Sequence, residues 1–256
     1  PPGGAAWGGG APAPRPEWAL SAAPREPQLS MPLAPSRLAP YEVDEGGDPV
    51  SEAGVSRVAE APPAPRPVML ASEGRFLRGT LTHVLLQHLP ALDPAERRRA
   101  AQGLVATRGR SLSVRVRESI VAETLAIMDD PSFAPLFGPD SRAEVPIVAR
   151  IPRPTGRGPA LSINGQIDRL ALIGGEVRMI DYKTNRPPPG RAEEVAEAYL
   201  LQLAAYRLAL REVFPDLPIR AAILWTDGPR IMPFPDVVLD RATARLWDLP
   251  MARLDA

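Results

Sequence analysis

Proline decides where this chain can fold. Of its 33 prolines, 15 fall within the first 70 residues, among Gly-rich and Ala-rich patches. Proline carries no backbone N–H and fixes its own φ, so at this density it blocks helices and central strands. Residues 1–70 are therefore expected to form a poorly ordered linker, and residues 71–256 the folded domain. Leu33-Ala34-Pro35-Ser36-Arg37-Leu38 is a local exception, expected to cap a short helix docked on that domain. The chain opens Pro1-Pro2 without an initiator methionine, which reads as a piece of a longer protein. A linker of this length ties two folded units together, and the missing one is expected upstream.

Within the domain, elements follow from apolar spacing. Phe76, Leu77, Leu81, Val84, Leu85 and Leu89 recur at helical period over 74–90. Asp93-Pro94-Ala95-Glu96 is a helix start, with an acid at the N-cap, proline at the first helical position and glutamate three after the cap. That helix is expected to reach Thr107, and a third to span Ser113–Met128 before Pro131. Strands are expected at Ala143–Ile151, Leu161–Ile173 and Val177–Tyr182, the last two joined by a hairpin at Gly174-Gly175. A long amphipathic helix follows over 191–213. Then come an apolar strand at Ile219–Trp225, a turn at Asp227-Gly228, a short strand at Arg230–Phe234 and a last helix over Val237–Leu249. This order predicts an α/β fold with a mixed central sheet flanked by helices.

Charge narrows the chemistry. Formal net charge is zero, so any nucleic-acid surface must come from local placement of arginines. The chain has no cysteine, which excludes disulfides, thiolate zinc sites and cysteine-held iron–sulfur clusters. No apolar run approaches the ~20 residues that cross a bilayer, and no basic-then-apolar leader opens the chain. A cytoplasmic location without membrane partners is expected. Of the 30 basic residues, Lys183 alone is lysine. Arginine never gives up its proton, whereas lysine is a compact point charge whose pKa moves with its surroundings. A position tolerating either residue would be expected to read arginine in this chain.

Lys183 stands in Met179-Ile180-Asp181-Tyr182-Lys183-Thr184. Side chains two apart on a strand share a face, so Asp181 and Lys183 are expected to point the same way. Asp168, in Gly165-Gln166-Ile167-Asp168-Arg169-Leu170, is expected beside Asp181 across the hairpin. Two adjacent carboxylates repel and are costly to desolvate. A divalent cation such as Mg2+, with Mn2+ as an alternative, resolves this, and it suits in-line attack of water on a phosphodiester. Lys183 would stabilise the developing charge, or accept a proton if its pKa falls. The plainer reading is a surface strand with an Asp–Lys ion pair, worth little energetically. On the 191–213 helix, Gln202 and Tyr206 are four apart and make a polar–aromatic stripe with Tyr199, suited to contacts with DNA. They read equally as tyrosines that cover a core. His83, one turn after Gly79, reads as a packed helical histidine or a member of the site, while His88 reads as surface. Glu144 alone reads as an exposed strand glutamate. Arg97, Arg98, Arg99, Arg108, Arg110, Arg115 and Arg117 offer phosphate contacts or a solvated face.

Taken together, Gly79–His83, Gly165–Leu170, Ile180–Asn185, Ala198–Tyr206 and Ala221–Thr226 resemble the PD-(D/E)XK nuclease superfamily. The similarity covers about residues 70–250. It points to the RecB-like exonuclease domains, above all the C-terminal nuclease domain of α-proteobacterial AddA-type helicase–nucleases. The resemblance implies a restriction-endonuclease-like core and a DNA exonuclease acting on unwound strands in double-strand break repair. It implies Asp168 and Asp181 as metal-ligating acids and Lys183 as the catalytic lysine. His83, Glu144 and the Tyr182 backbone carbonyl would be further ligands, and Gln202 and Tyr206 would match a Q-x-x-x-Y motif. Relatives of the AddB and Cas4 kind hold an iron–sulfur cluster, for which this chain has no cysteine. No G-x-x-x-x-G-K-[ST] phosphate loop occurs, so ATP-driven activity is expected only in the missing upstream helicase, and an AddB-type subunit is the expected partner. The competing reading is an inactive nuclease fold that binds DNA or scaffolds that partner. It would be marked by loss of an acid or the lysine, and none is lost.

Overall fold

A computed structural model describes residues 33–35, 67–157 and 160–249. Three helices come first: α1 (Pro67–His88), α2 (Pro94–Arg108) and α3 (Val114–Asp129). Their starts are encoded locally. The Asp93 carboxylate accepts from the Ala95 N–H at 2.9 Å and Pro94 opens the helix, while the Ser113 hydroxyl accepts from Val116 N–H. Such caps satisfy donors that the first helical turn leaves unpaired. Leu81, Leu85, Val105, Ile120 and Leu125 pack the three helices together. No described helix is long and apolar enough to cross a membrane.

Five strands then form one sheet in chain order: β1 (Ser141–Ile151), β2 (Leu161–Ile173), β3 (Glu176–Lys183), β4 (Ile219–Trp225) and β5 (Arg230–Phe234). Only β3 and β4 run parallel. The helix α4 (Glu197–Val213) makes that crossover, and α5 (Asp236–Leu246) closes the described fold. The sheet is buried on both faces. Ile163, Ile167, Met179, Ile223 and Trp225 pack with Leu203, Ala205 and Leu210 of α4 and Leu239 of α5. Ile180, Tyr182, Ala222 and Leu224 pack with Leu86 of α1 and Ile127 and Met128 of α3. A buried cation also ties α4 to α5: Arg207 is 0% exposed and pairs with Asp236 and Asp240.

The expected mixed α/β architecture is present, with shifts at element ends. The helix over 191–213 begins only at Glu197. Before it the Glu194 carboxylate accepts from Gly190 N–H and pairs with Arg191, which closes a short 3-10 turn over Ala192–Glu194. Leu33 docks on the domain by pairing with Ile163 in parallel. Its N–H donates to Ser162 O and its carbonyl accepts from Asn164 N–H. That contact is a strand bridge rather than the expected helix cap, and Pro35 then turns into 3-10 geometry; residues 67–70, expected in the linker, instead begin α1, and the other residues of the expected linker lie outside the described ones.

Three charged side chains lock the helical layer to the loop after β3. Glu123 of α3 binds Arg78 of α1, the Ser119 hydroxyl and Arg186. Burial works to raise the Glu123 pKa, but its bonds from Arg186, Ser119 and Arg78 hold it below the usual 4.5. A depressed carboxylate contributes stability that is present above its unfolded pKa and is lost as pH falls through the folded value. Glu123→Gln should therefore destabilise the protein by about 2 kcal/mol at neutral pH, since it strips a buried arginine of its anion. In urea titrations the gap between wild type and variant should close as pH falls below 4.5; a gap independent of pH would contradict this account.

Candidate active site

The site lies where the sheet divides. Pairing between β2 and β3 runs from Ile173–Glu176 to Arg169–Ile180 and stops. Beyond that point β2 pairs with β1, and Asp181, Tyr182 and Lys183 pair with β4. Backbone donors at the division need other partners. The Tyr182 N–H finds the Asp168 carboxylate at 2.7 Å. The Gln166 N–H finds the Tyr206 hydroxyl at 3.2 Å.

Facing changes at the same place. Ile167 packs toward α4, yet Arg169, two residues on, reaches the opposite layer. There it donates to the Tyr182 hydroxyl and the Leu86 carbonyl and stacks over Phe137. On β1, Glu144 occupies the left-handed region, with φ 51°. That conformation is strained for glutamate, and it breaks the alternation beside Asp168.

Two groups of side chains result. His83, Glu144 and Asp168 each offer a ligand atom, all within 4.8 Å of one another. His83 Nδ1 is 3.4 Å from Asp168 Oδ1, and Nε2 is 3.2 Å from the Tyr182 carbonyl. Gly79 brings α1 this close, since a Cβ there would stand 3.4 Å from Thr184 Oγ1. The second group is Asp181 and Lys183, with Nζ 2.7 Å from Oδ2. Nζ also donates to Gln202 Oε1 at 3.1 Å and lies 4.4 Å from the centre of the Tyr199 ring. Asp181 Oδ2 is buried and, apart from this ion pair, has no hydrogen-bond partner.

The charges respond to one another. Burial opposes the His83 imidazolium, but the Asp168 carboxylate raises its pKa to about 9. Burial would raise Asp168; the His83 and Lys183 cations and the Tyr182 N–H hold it down instead. Asp181 is pushed up by burial and by the Asp168 charge, against the pull of Lys183. Burial also pushes Glu144 up, and Asp168 adds to it. For Lys183 burial favours the neutral amine, but Asp181 and Asp168 together raise its pKa. Lys183 is therefore a fixed ammonium, and the fallen pKa that a proton acceptor needs is not found.

The donor set is one imidazole and carboxylate oxygens without a thiolate, which fits a divalent metal ion. Asp181 Oδ2, buried, is already paired with the Lys183 ammonium. The structure brings His83, Glu144 and Asp168 together, while Asp181 pairs with Lys183, two residues on, and not with Asp168 across the hairpin as expected. The expected DNA-facing stripe turns inward. Gln202, Tyr206 and Tyr199 are 4%, 1% and 7% exposed, and their polar atoms bind Lys183, Gln166 and Asn185. Of the seven arginines, Arg98, Arg99, Arg108, Arg110 and Arg115 are exposed. Sequence reasoning passed over Gly165, although glycine inside a strand signals a close approach. A Cβ there would lie 2.6 Å from Tyr206 Oη and 2.7 Å from Cε1.

A family model described as the PD-(D/E)XK nuclease superfamily matches residues 56–246. Among solved structures, the crystal structure of SSO0001 is similar at 14% identity, over 70% of this chain and 88% of that chain, with a TM-score of 0.31. No curated protein matches.

Because the Tyr206 ring is buried and cannot yield, Gly165→Ala should cost about 1–3 kcal/mol through overpacking. Gly103→Ala, on α2 with nothing within 4 Å of the added Cβ, should instead stabilise by up to about 1 kcal/mol. Denaturant titration of both variants decides this; equal and small effects would mean that the Gly165–Tyr206 contact is not tight.

Proposed function

The chain belongs to the PD-(D/E)XK nuclease superfamily, and from that premise we propose that it is a metal-dependent DNA exonuclease domain cutting single strands from unwound duplex ends. The observation that supports this most is the cluster of His83, Glu144 and Asp168 donor atoms within 4.8 Å, at the division of the sheet that also carries the Asp181–Lys183 pair. We further propose the RecB-like, AddA-type setting: a nuclease unit tethered to an upstream helicase, partnered by an AddB-type subunit, and acting in double-strand break repair. The absence of cysteine supports the AddA side, because the AddB and Cas4 relatives require it.

The division of labour follows from the residues. His83, Glu144 and Asp168 would hold the cation, with Asp181 and the Tyr182 carbonyl as neighbouring donors. When bound, Mg2+ or Mn2+ polarises a phosphoryl oxygen and acidifies a water. Lys183 supplies a preorganised positive charge for the negative charge that develops on phosphorus. Asp181 and Gln202 hold its ammonium and the Tyr199 ring covers it, so little reorganisation is needed when that charge forms. Arginine in its place would present a planar fork where the pocket fits a compact ammonium. Arg98, Arg99 and Arg115, exposed on the helical layer, are available for contacts to the DNA backbone.

Purified protein with Mg2+ should degrade labelled linear single-stranded DNA, spare a circular single strand, and stop in excess EDTA. Asp181→Ala and Lys183→Ala should each lower the rate by about 100-fold or more, the scale of losing one preorganised electrostatic group. Lys183→Arg should fall close to Lys183→Ala. Activity that persists in EDTA or in both alanine variants contradicts the assignment, and cutting of the circular strand contradicts the exonuclease reading.

A further inference from the structure

Glu144 reaches the ligand cluster only through a strained backbone, and the structure holds that strain in place. At φ 51°, a glutamate sits in a conformation that surrounding contacts must hold. The contact is a short relay. The Gln166 side-chain amide donates to the Glu144 carbonyl at 3.3 Å. The Gln166 backbone N–H, at the division of the sheet, donates to the Tyr206 hydroxyl at 3.2 Å. Tyr206 is itself fixed, 1% exposed on α4 and pressed against Gly165, where no side chain interferes.

We propose that Tyr206 and Gln166 are positioning residues that hold Glu144 in the ligand cluster, Tyr206 by fixing β2 at Gly165-Gln166 and Gln166 by fixing the Glu144 carbonyl. This rests on the metal-dependent nuclease reading above. The direction of the argument is set by burial. A tyrosine with a buried ring, whose hydroxyl accepts from a backbone N–H, is not placed to stack on a base. Gln166 is exposed but spends its amide on a protein carbonyl. Gln202, one turn before Tyr206, does the corresponding work on the other side of the division by binding Lys183. One face of α4 thereby braces both separated strands, β2 through Tyr206 and β3 through Gln202.

The test measures Mn2+ affinity by calorimetry without DNA, and single-stranded oligonucleotide affinity by fluorescence anisotropy in EDTA. Gln166→Leu and Tyr206→Phe should each weaken Mn2+ binding about 10-fold or more, as outer-shell partners of a metal site do. Both should leave oligonucleotide affinity within about twofold of wild type. Gln166→Leu is at an exposed position and spares the core, so its effect does not depend on folding. In a Glu144→Gln background, Gln166→Leu should add no further loss, because its action passes through Glu144. Unchanged Mn2+ affinity in Gln166→Leu, or a full additional loss in the Glu144→Gln background, overturns the relay. Weakened oligonucleotide binding with intact Mn2+ binding overturns it in favour of direct DNA contact. Wild-type protein that binds no Mn2+ would instead remove the metal-dependent reading itself, and the relay with it.

Discussion

The early end of pairing between β2 and β3 is the constraint on which the rest of the site depends. An uninterrupted ladder would have joined Asp168 to Asp181 as an ordinary cross-strand pair of like charges, which is unfavourable. Instead the ladder stops one pair short, at Arg169–Ile180. The Asp168 carboxylate takes over the backbone donor of Tyr182, and Tyr206 takes over that of Gln166. Strand pairing is thereby exchanged for side-chain bonds, and each exchange fixes a residue at the opening. Arg169 adds a second fastening. Buried beneath the opening, it ties Tyr182 of β3 to the Leu86 carbonyl of α1, the helix that brings His83.

The two acids that look alike in sequence end in different electrostatic positions. Asp168 is held down by His83, Lys183 and a backbone N–H; Asp181 is pushed up by burial and by Asp168. The lysine answers both. Without it two buried carboxylates would face each other, and one would be driven to take up a proton. The arrangement leaves oxygen donors and one ammonium beside the opening between β2 and β3. The positive charge is locked there by an acid, an amide oxygen and an aromatic face.

Much of this was legible in the sequence because it is local or periodic. The Asp93 cap, the hairpin at Gly174-Gly175 and the two-residue spacing of Asp181 and Lys183 are short-range rules, and each is met. The lone lysine was informative because arginine fills every other basic position. Burial of Gln202, Tyr206 and Tyr199 was not legible. A polar–aromatic stripe on an amphipathic helix has the same spacing whether it faces solvent or fills a gap beneath a divided sheet. The left-handed backbone at Glu144 had no sequence mark either, since glutamate rarely adopts it and nothing adjacent calls for it. Gln166 carried no signal at all. Its importance arises from β1 and β2 lying side by side, which only the tertiary structure supplies. Gly165 did carry one, as a glycine inside an apolar strand, and its partner Tyr206 lies 41 residues away in the chain.

The central claim is that the division of the sheet assembles a metal site from α1, β1 and β2 beside the Asp181–Lys183 pair. Anomalous diffraction from crystals soaked in Mn2+ tests it most directly. The account predicts a peak within coordination distance of His83, Glu144 and Asp168, lost in Asp168→Ala crystals treated alike. A well-occupied peak elsewhere on the protein, with none between α1 and the divided strands, would contradict it.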